Sequence, residues 1–140
     1  MEAFVKSEIK NGIGTITFFH PQSNSMPGAQ LRNLAAEVEK LGKDDTCKVI
    51  VLKSEGEKAF CAGASFDELI QIKDIDTGLK FFSGFAAVIN AMRKAPKFVL
   101  ARVQGKAVGG GVGIASAADY TYAVEGASVK LSELAVGIGP

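Results

Sequence analysis

The first third of the chain alternates apolar and polar residues in a pattern typical of paired β-strands. Residues 4–9 and 14–19 both show this two-residue period, and the Asn11-Gly12 dipeptide between them is favoured in tight hairpin turns. After a polar loop that contains two prolines, apolar residues recur at helical spacing over residues 30–41. We therefore predict a β-hairpin followed by an amphipathic helix.

The remainder of the chain alternates short apolar runs with helical patterns. Residues 48–53 (KVIVLK) and 98–104 (FVLARVQ) are typical of strands buried on both faces of a parallel sheet. Shorter strands are predicted at 120–123 and 130–131, and loops at 54–59 and 105–108. Further helices are predicted over residues 66–72, 77–93 and 109–118. The order β-β-α-β-α-α-β-α-β predicts an α/β fold.

A stripe of phenylalanines lies on the second of these later helices. Phe81, Phe82 and Phe85 share one side of the helix with three aliphatic residues farther along it. Because this spacing matches a helical repeat, we expect the three rings to lie in the core or to line a ligand pocket.

Composition and charge exclude several classes of function. The chain has 140 residues, 47% of them hydrophobic and 22% charged, as in a globular domain. The formal net charge of +1 gives no basis for a nucleic-acid partner. Cys47 and Cys61 form no C-x-x-C pair, so we expect two buried free thiols and no metal site. With no apolar run long enough for a signal peptide or a membrane helix, we expect a cytoplasmic protein without a membrane partner.

Two segments of small residues lie where a predicted strand, or the loop after it, leads into a helix. They are Cys61-Ala62-Gly63-Ala64-Ser65 and Gly109-Gly110-Gly111. Small residues let a ligand approach the backbone, and the first N–H groups of a helix lack internal partners. Two such groups could bind an oxyanion. Tight packing and turn geometry are the more common reason for such residues, so spacing alone does not establish an oxyanion site.

Four segments resemble the crotonase (enoyl-CoA hydratase/isomerase) family, in order and at the family's spacing over the whole chain. Residues 60–69 (FCAGASFDEL) resemble its F-C-A-G-A-D-x-x-E-x signature. Residues 105–115 (GKAVGGGVGIA) resemble G-x-A-x-G-G-G-x-E-L-A. Residues 127–140 (ASVKLSELAVGIGP) resemble A-x-F-x-x-P-E-x-x-x-G-I-x-P, and residues 24–26 (NSM) match the N-A-L/M loop.

The resemblance implies an acyl-CoA thioester as substrate. Its carbonyl would be polarised by the backbone N–H groups of Ala64 and Gly110. Loops that include Ser25, Met26, Ala62, Gly63 and Ala64 would hold the CoA portion. No metal or other cofactor is implied, because the CoA belongs to the substrate.

The resemblance also implies a fold and an assembly. The family fold is a spiral of β-β-α units followed by a C-terminal helical region. We expect residues 1–140 to form the N-terminal core of this fold without that region, because the chain ends on a loop signal (GIGP). On its own, such a chain is expected to be weakly active or inactive, and the full-length protein to form a homotrimer or hexamer.

The number of catalytic glutamates distinguishes the candidate reactions. The family's hydratases use two glutamates, of which the second matches Glu133 while the first falls on Gly113. Ser65 and Ser132 also depart from the family's Asp and Pro. The first hypothesis is hydration of a 2-enoyl-CoA. Within the hydratases, the sequences of residues 131–134 and 136–140 most resemble the methylglutaconyl-type enzymes. The close alternative is isomerisation of a 3-enoyl-CoA, which needs only the carboxylate of Glu133.

Three other classes of protein are alternatives to this interpretation. A dinucleotide-binding G-x-G-x-x-G fails because Ile114 or Ser116 occupies the final glycine position. A hydrolase G-x-S-x-G around Ser65 lacks its last glycine, where Asp67 stands. A non-catalytic CoA-binding or assembly protein remains open, and Gly113 favours it.

Overall fold

The computed structural model describes residues 1–139, which fold as mixed α/β layers around two β-sheets. The strands are β1 (Phe4–Lys10), β2 (Ile13–Phe19), β3 (Val49–Ser54), β4 (Ala59–Cys61), β5 (Val99–Val103), β6 (Lys106–Val108), β7 (Tyr120–Ala123) and β8 (Val129–Lys130). The helices are α1 (Gly28–Lys43), α2 (Phe66–Leu69), α3 (Ile75–Lys94) and α4 (Gly110–Ala117), with a 3₁₀ helix at Glu133–Val136. The predicted α/β fold is confirmed.

The larger sheet has the strand order β1-β2-β3-β5-β7. Strands β1 and β2 form the predicted antiparallel hairpin, and the other neighbours in this sheet pair in parallel. Asn11 and Gly12 both have positive φ, 52° and 79°, as a type I′ turn requires. The hairpin prediction is therefore confirmed, together with its turn.

A second sheet, with the order β4-β6-β8, was not predicted from the sequence. Both of its strand pairings are parallel. The prediction of a loop over residues 105–108 is wrong, because Lys106–Val108 is the central strand of this sheet, and the predicted 54–59 loop ends at Ala59, where β4 begins. Strands of two or three residues have too short a pattern to be read locally, and their pairing joins distant parts of the chain.

Helix α1 follows its predicted pattern closely. The five apolar residues at helical spacing are all buried: Leu31, Leu34, Ala35, Val38 and Leu41. No side chain of its own caps the first turn, but the carboxylate of Glu68 in α2 accepts a hydrogen bond of 2.9 Å from the Gly28 N–H. This contact supplies the acceptor that a helix N-terminus lacks.

The buried face of α3 differs from the prediction. Its buried residues are Gly84, Val88, Ala91 and Met92, whereas Phe82 is half exposed. A methyl group at Gly84 would lie 2.7 Å from Leu31 Cδ1, so α3 approaches α1 through its small residues. The bulky rings are consequently displaced to the sides of the contact. The α2 prediction was three residues too long at its C-terminal end.

Both cysteines are buried and free, as predicted. Burial raises the pKa of the Cys61 thiol to about 12, so the thiol stays protonated near neutral pH. Across residues 1–139, no helix combines the length and the apolar character needed to span a bilayer.

Candidate active site

Three short parallel strands each lead into one part of the candidate site. Ala64 follows β4 by three residues, Gly110 follows β6 by two, and Glu133 follows β8 by three. Since the strands are parallel neighbours, their carboxyl ends meet at one edge of the small sheet. This is the edge at which parallel sheets place their ligands.

The two small-residue segments lie in direct contact. A Cβ added at Gly63 would lie 3.0 Å from the Val108 carbonyl oxygen, and one added at Gly111 would lie 2.5 Å from the Cys61 carbonyl oxygen. Gly63 has a φ of +93°, which also favours glycine. Gly63 and Gly111 therefore need glycine for close packing, and Gly110 directly precedes Gly111.

The Ala64 and Gly110 N–H groups have no acceptor. Within residues 1–139, neither group donates a hydrogen bond to another backbone or side-chain atom. Gly110 is the first residue of α4, whose N-terminus carries partial positive charge and has no side-chain cap. Both residues are only partly buried, so these N–H groups are accessible to water or to an oxygen atom of a ligand.

The Glu133 carboxylate lies beside Gly109. A Cβ added at Gly109 would lie 3.2 Å from Glu133 Oε1, and the other oxygen, Oε2, is buried without a hydrogen-bond partner among the described residues. The Gly109 N–H donates to the Lys130 carbonyl at 2.8 Å, which ties the start of α4 to β8. The predicted carboxylate thus lies against Gly109, the residue that precedes the predicted Gly110 donor.

The loop that carries Ser25 and Met26 joins the site through its backbone. The Met26 N–H donates to the Gly63 carbonyl at 2.8 Å, and Met26 forms a parallel bridge with Ala64. Both side chains are buried, 8% exposed at Ser25 and 1% at Met26. These two residues therefore offer a ligand little accessible surface, and the Met26 N–H is already used within the protein.

His20 lies at the start of this loop, and its ring Nδ1 is 3.2 Å from Ser25 Oγ. Burial lowers the pKa of His20 below its ordinary value of 6.5, so the ring is neutral at pH 7. The ring therefore forms part of the loop's internal hydrogen bonding.

Helix α3 packs closely on the first turn of α4. A Cβ at Gly110 would lie 2.5 Å from the Phe85 ring, and one at Gly113 would lie 3.1 Å from Ile89 Cδ1. Phe85 thus contacts the residue that offers the second free N–H, and its place in the wall of a ligand pocket stays a prediction. Ile89 occupies the space where a side chain at position 113 would begin.

Comparisons with known proteins agree with this geometry. Residues 8–140 match the family model described as enoyl-CoA hydratase/isomerase. The chain belongs to this family. YngF of Bacillus subtilis (strain 168), named for the same family, is 34% identical over 128 residues that cover 89% of this chain and 48% of its own length. Rat mitochondrial methylglutaconyl-CoA hydratase is 33% identical over 84% of this chain and 37% of its own length.

A solved structure supports the family fold. Enoyl-CoA hydratase from Mycobacterium smegmatis superposes with a TM-score of 0.90 at 29% identity, over 98% of this chain and 54% of that one. The crotonase fold predicted from the resemblance is thereby confirmed. The chain spans about half the length, or less, of the family members that it matches.

Sequence reasoning assigned no individual role to Asn24 or Ile89, although both contribute to the framework of the site. The Asn24 amide donates to backbone carbonyls 31 and 35 residues away along the chain. Ile89 contacts Gly113, which lies in a different helix. Contacts at such separations leave no local signal in a single sequence.

Proposed function

We propose that the chain binds an acyl-CoA thioester with its carbonyl oxygen between the Ala64 and Gly110 N–H groups. The single observation that carries this proposal is the pair of unpaired donors on two segments in contact, one of them at the N-terminus of α4. Such donors stabilise negative charge that develops on the oxygen during the reaction. The loops that carry Ser25, Met26, Ala62, Gly63 and Ala64 would hold the CoA portion.

Glu133 is the proton carrier in this proposal. Its unpartnered buried oxygen has no other role within the described residues, and its carboxylate lies against Gly109, one residue before the Gly110 donor. A general base must lie close to the proton that it removes, and the contact of Glu133 with Gly109 supports this role toward a thioester carbonyl held at the Gly110 N–H.

The first candidate reaction is hydration of a 2-enoyl-CoA. Glu133 takes a proton from water while the oxygen of that water bonds to C3, and the electrons of the double bond move onto the thioester oxygen as an enolate. Return of the proton from Glu133 to C2 restores the carbonyl and releases a 3-hydroxyacyl-CoA. One carboxylate thus performs both transfers, and the two N–H donors stabilise the enolate.

Gly113 and Ile89 favour isomerisation as a second candidate. The contact between them places an apolar side chain where a second acid–base group would otherwise begin. Isomerisation of a 3-enoyl-CoA needs one base to remove a proton from C2 and return it to C4, and water takes no part. The family is named for both hydratases and isomerases, and the rat relative is named as a hydratase.

The deciding experiment follows the conjugated-thioester absorbance with a short 2-enoyl-CoA and, separately, with the matching 3-enoyl-CoA. The natural protein that carries this chain is compared with Glu133→Gln and with Glu125→Gln, whose exposed carboxylate provides the matched control. Loss of absorbance identifies hydration, and its appearance identifies isomerisation. Glu133→Gln should abolish the reaction, while Glu125→Gln should leave it unchanged.

Failure of both substrates with CoA binding retained would favour the non-catalytic CoA-binding alternative. Equal activity of Glu133→Gln and the parent would refute the role of Glu133. The homotrimer or hexamer is likewise a proposal, and the molar mass of the natural protein in solution tests it.

A further inference from the structure

Asn24 is a buried amide whose hydrogen bonds reach three separate segments. Its Oδ1 accepts from the His20 N–H at 2.8 Å, and its Nδ2 donates to the Glu55 and Ala59 carbonyls, each at 2.8 Å. The residue is 3% exposed. Both amide hydrogens are therefore used, and a buried side chain bonded in this way fixes the segments that it joins.

The backbone conformation at Asn24 also restricts the residue. Its φ of 57° lies in the left-handed region, which asparagine and glycine tolerate better than most residues. The neighbouring Ser23 has a φ of 54°, so the chain turns sharply at this point. The turn aims the amide at the β3–β4 connection and directs the next two residues toward the candidate site.

Asn24 and Met26 together close a ring that consists of residues 24–26, residues 59–63 and the two hydrogen bonds between these segments. At one end, Asn24 holds the Ala59 carbonyl at the first residue of β4. At the other end, the Met26 N–H holds the Gly63 carbonyl, directly before Ala64. The Ala59 carbonyl also accepts longer hydrogen bonds from the Ser54 hydroxyl and the Gln104 amide, at 3.4 and 3.3 Å. These bonds fix the position of Ala59, to which Asn24 attaches the loop.

We propose that Asn24 is a positioning residue that fixes the Ala64 N–H relative to the Gly110 N–H. The inference rests on the proposed function, because it assigns the ring a purpose in holding one of the two donors. Without the amide, the 20–26 loop loses its hold on β4, and Met26 can separate from Gly63. Displacement of a catalytic group by about 1 Å costs up to about 100-fold in rate.

Two variants separate the amide from the turn. Asn24→Gly preserves access to a positive φ and deletes the amide, so its effects report the hydrogen bonds. Asn24→Asp keeps the acceptor for His20 but loses both donors and places a charge against two carbonyl oxygens. The matched control is Gln30→Leu in α1, which removes another buried amide, bonded to the Phe19 carbonyl at 2.9 Å.

The test measures kcat and KM of the natural protein at a temperature where every variant is folded. Asn24→Gly should lower kcat about 10- to 100-fold, with a smaller change in KM, because the donors act mainly on the transition state. Asn24→Asp should lower kcat at least as far. Gln30→Leu should lower the unfolding temperature and keep kcat. An equal kcat for Asn24→Gly and Gln30→Leu would overturn the proposal.

Hydrogen exchange provides a readout that does not depend on activity. The Met26 amide should exchange faster in Asn24→Gly than in the parent, and at the parental rate in Gln30→Leu, because Gln30 makes no hydrogen bond within the ring. Unchanged exchange at Met26 in Asn24→Gly would refute the positioning role even if the parent turned over no acyl-CoA. Faster exchange with an inactive parent would instead retain the ring and reject the proposed function.

Discussion

Gly111→Ala should be destabilising even though it places a better helix former in α4. The added Cβ would lie 2.5 Å from the Cys61 carbonyl oxygen and 2.8 Å from Cys61 Cβ, whereas ordinary contacts begin at 3.4 Å. Because the nearest atom belongs to the backbone of β4, relief requires α4 and β4 to separate by up to about 1 Å. The substitution therefore changes the spacing between the two free N–H groups.

The opposing contributions can be compared in size. Overpacking of this kind costs about 1–3 kcal/mol, and the clash here belongs at the upper end because it involves backbone atoms. Replacing glycine by alanine within a helix contributes at most about 1 kcal/mol in the other direction. We expect a net loss of about 1–2 kcal/mol in the free energy of unfolding, and a fall in kcat of up to about 100-fold.

Urea denaturation and steady-state turnover of the natural protein test this expectation against Gly126→Ala. No atom lies within 4 Å of a Cβ at Gly126, so that variant should be as stable as the parent or slightly more so. Equal urea midpoints for the two variants would refute the close-contact reasoning. A lower midpoint with unchanged kcat would show that the contact stabilises the fold without setting the distance between the two donors.

Three further predictions concern other parts of the framework. Gly113→Glu alone should lower the unfolding temperature without raising hydration, whereas adding Ile89→Ala should restore stability and raise the hydration rate; equal hydration by both variants would contradict a blocking role for Ile89. The unfolded chain binds the His20 proton more tightly than the folded chain, so the free energy of unfolding should fall as the pH drops through 6.5. His20→Gln should flatten this decline in urea midpoints between about pH 7.5 and 5.5, and an equally steep decline would refute its origin in His20. Cys61, with a pKa of about 12, should resist iodoacetamide at pH 8 until the protein is unfolded, and rapid labelling of the native protein, read by mass spectrometry, would contradict its burial.

The elements that could be predicted are those with a long local pattern. Helix α1 extends two residues beyond its predicted range at each end, and the Asn11-Gly12 turn was located by its dipeptide. The amphipathic repeat of a long helix reports burial directly, because one face must leave water. A glycine such as Gly84 carries no such signal, and the α1–α3 contact that it permits leaves Phe82 half exposed while Phe85 packs against the edge of the core.

The candidate site was only partly accessible to sequence reasoning. Glycine spacing located both small-residue segments but could not separate ligand binding from packing, and the structure shows close packing at Gly63 and Gly111. Ala64, Gly110 and Glu133 were selected through the family resemblance. Their convergence depends on β4, β6 and β8, which have at most three residues each and form only by pairing with one another.

The small sheet also sets when the site can exist during synthesis of the protein. Its three strands leave the ribosome far apart in time, because β4 begins at Ala59, β6 at Lys106 and β8 at Val129. The Ala64 and Gly110 donors can meet once β6 has paired with β4, but Glu133 arrives only after β8 has added to the edge. Under the proposed function, a nascent chain would carry both N–H donors before it carries the base, and would bind acyl-CoA before it could convert it.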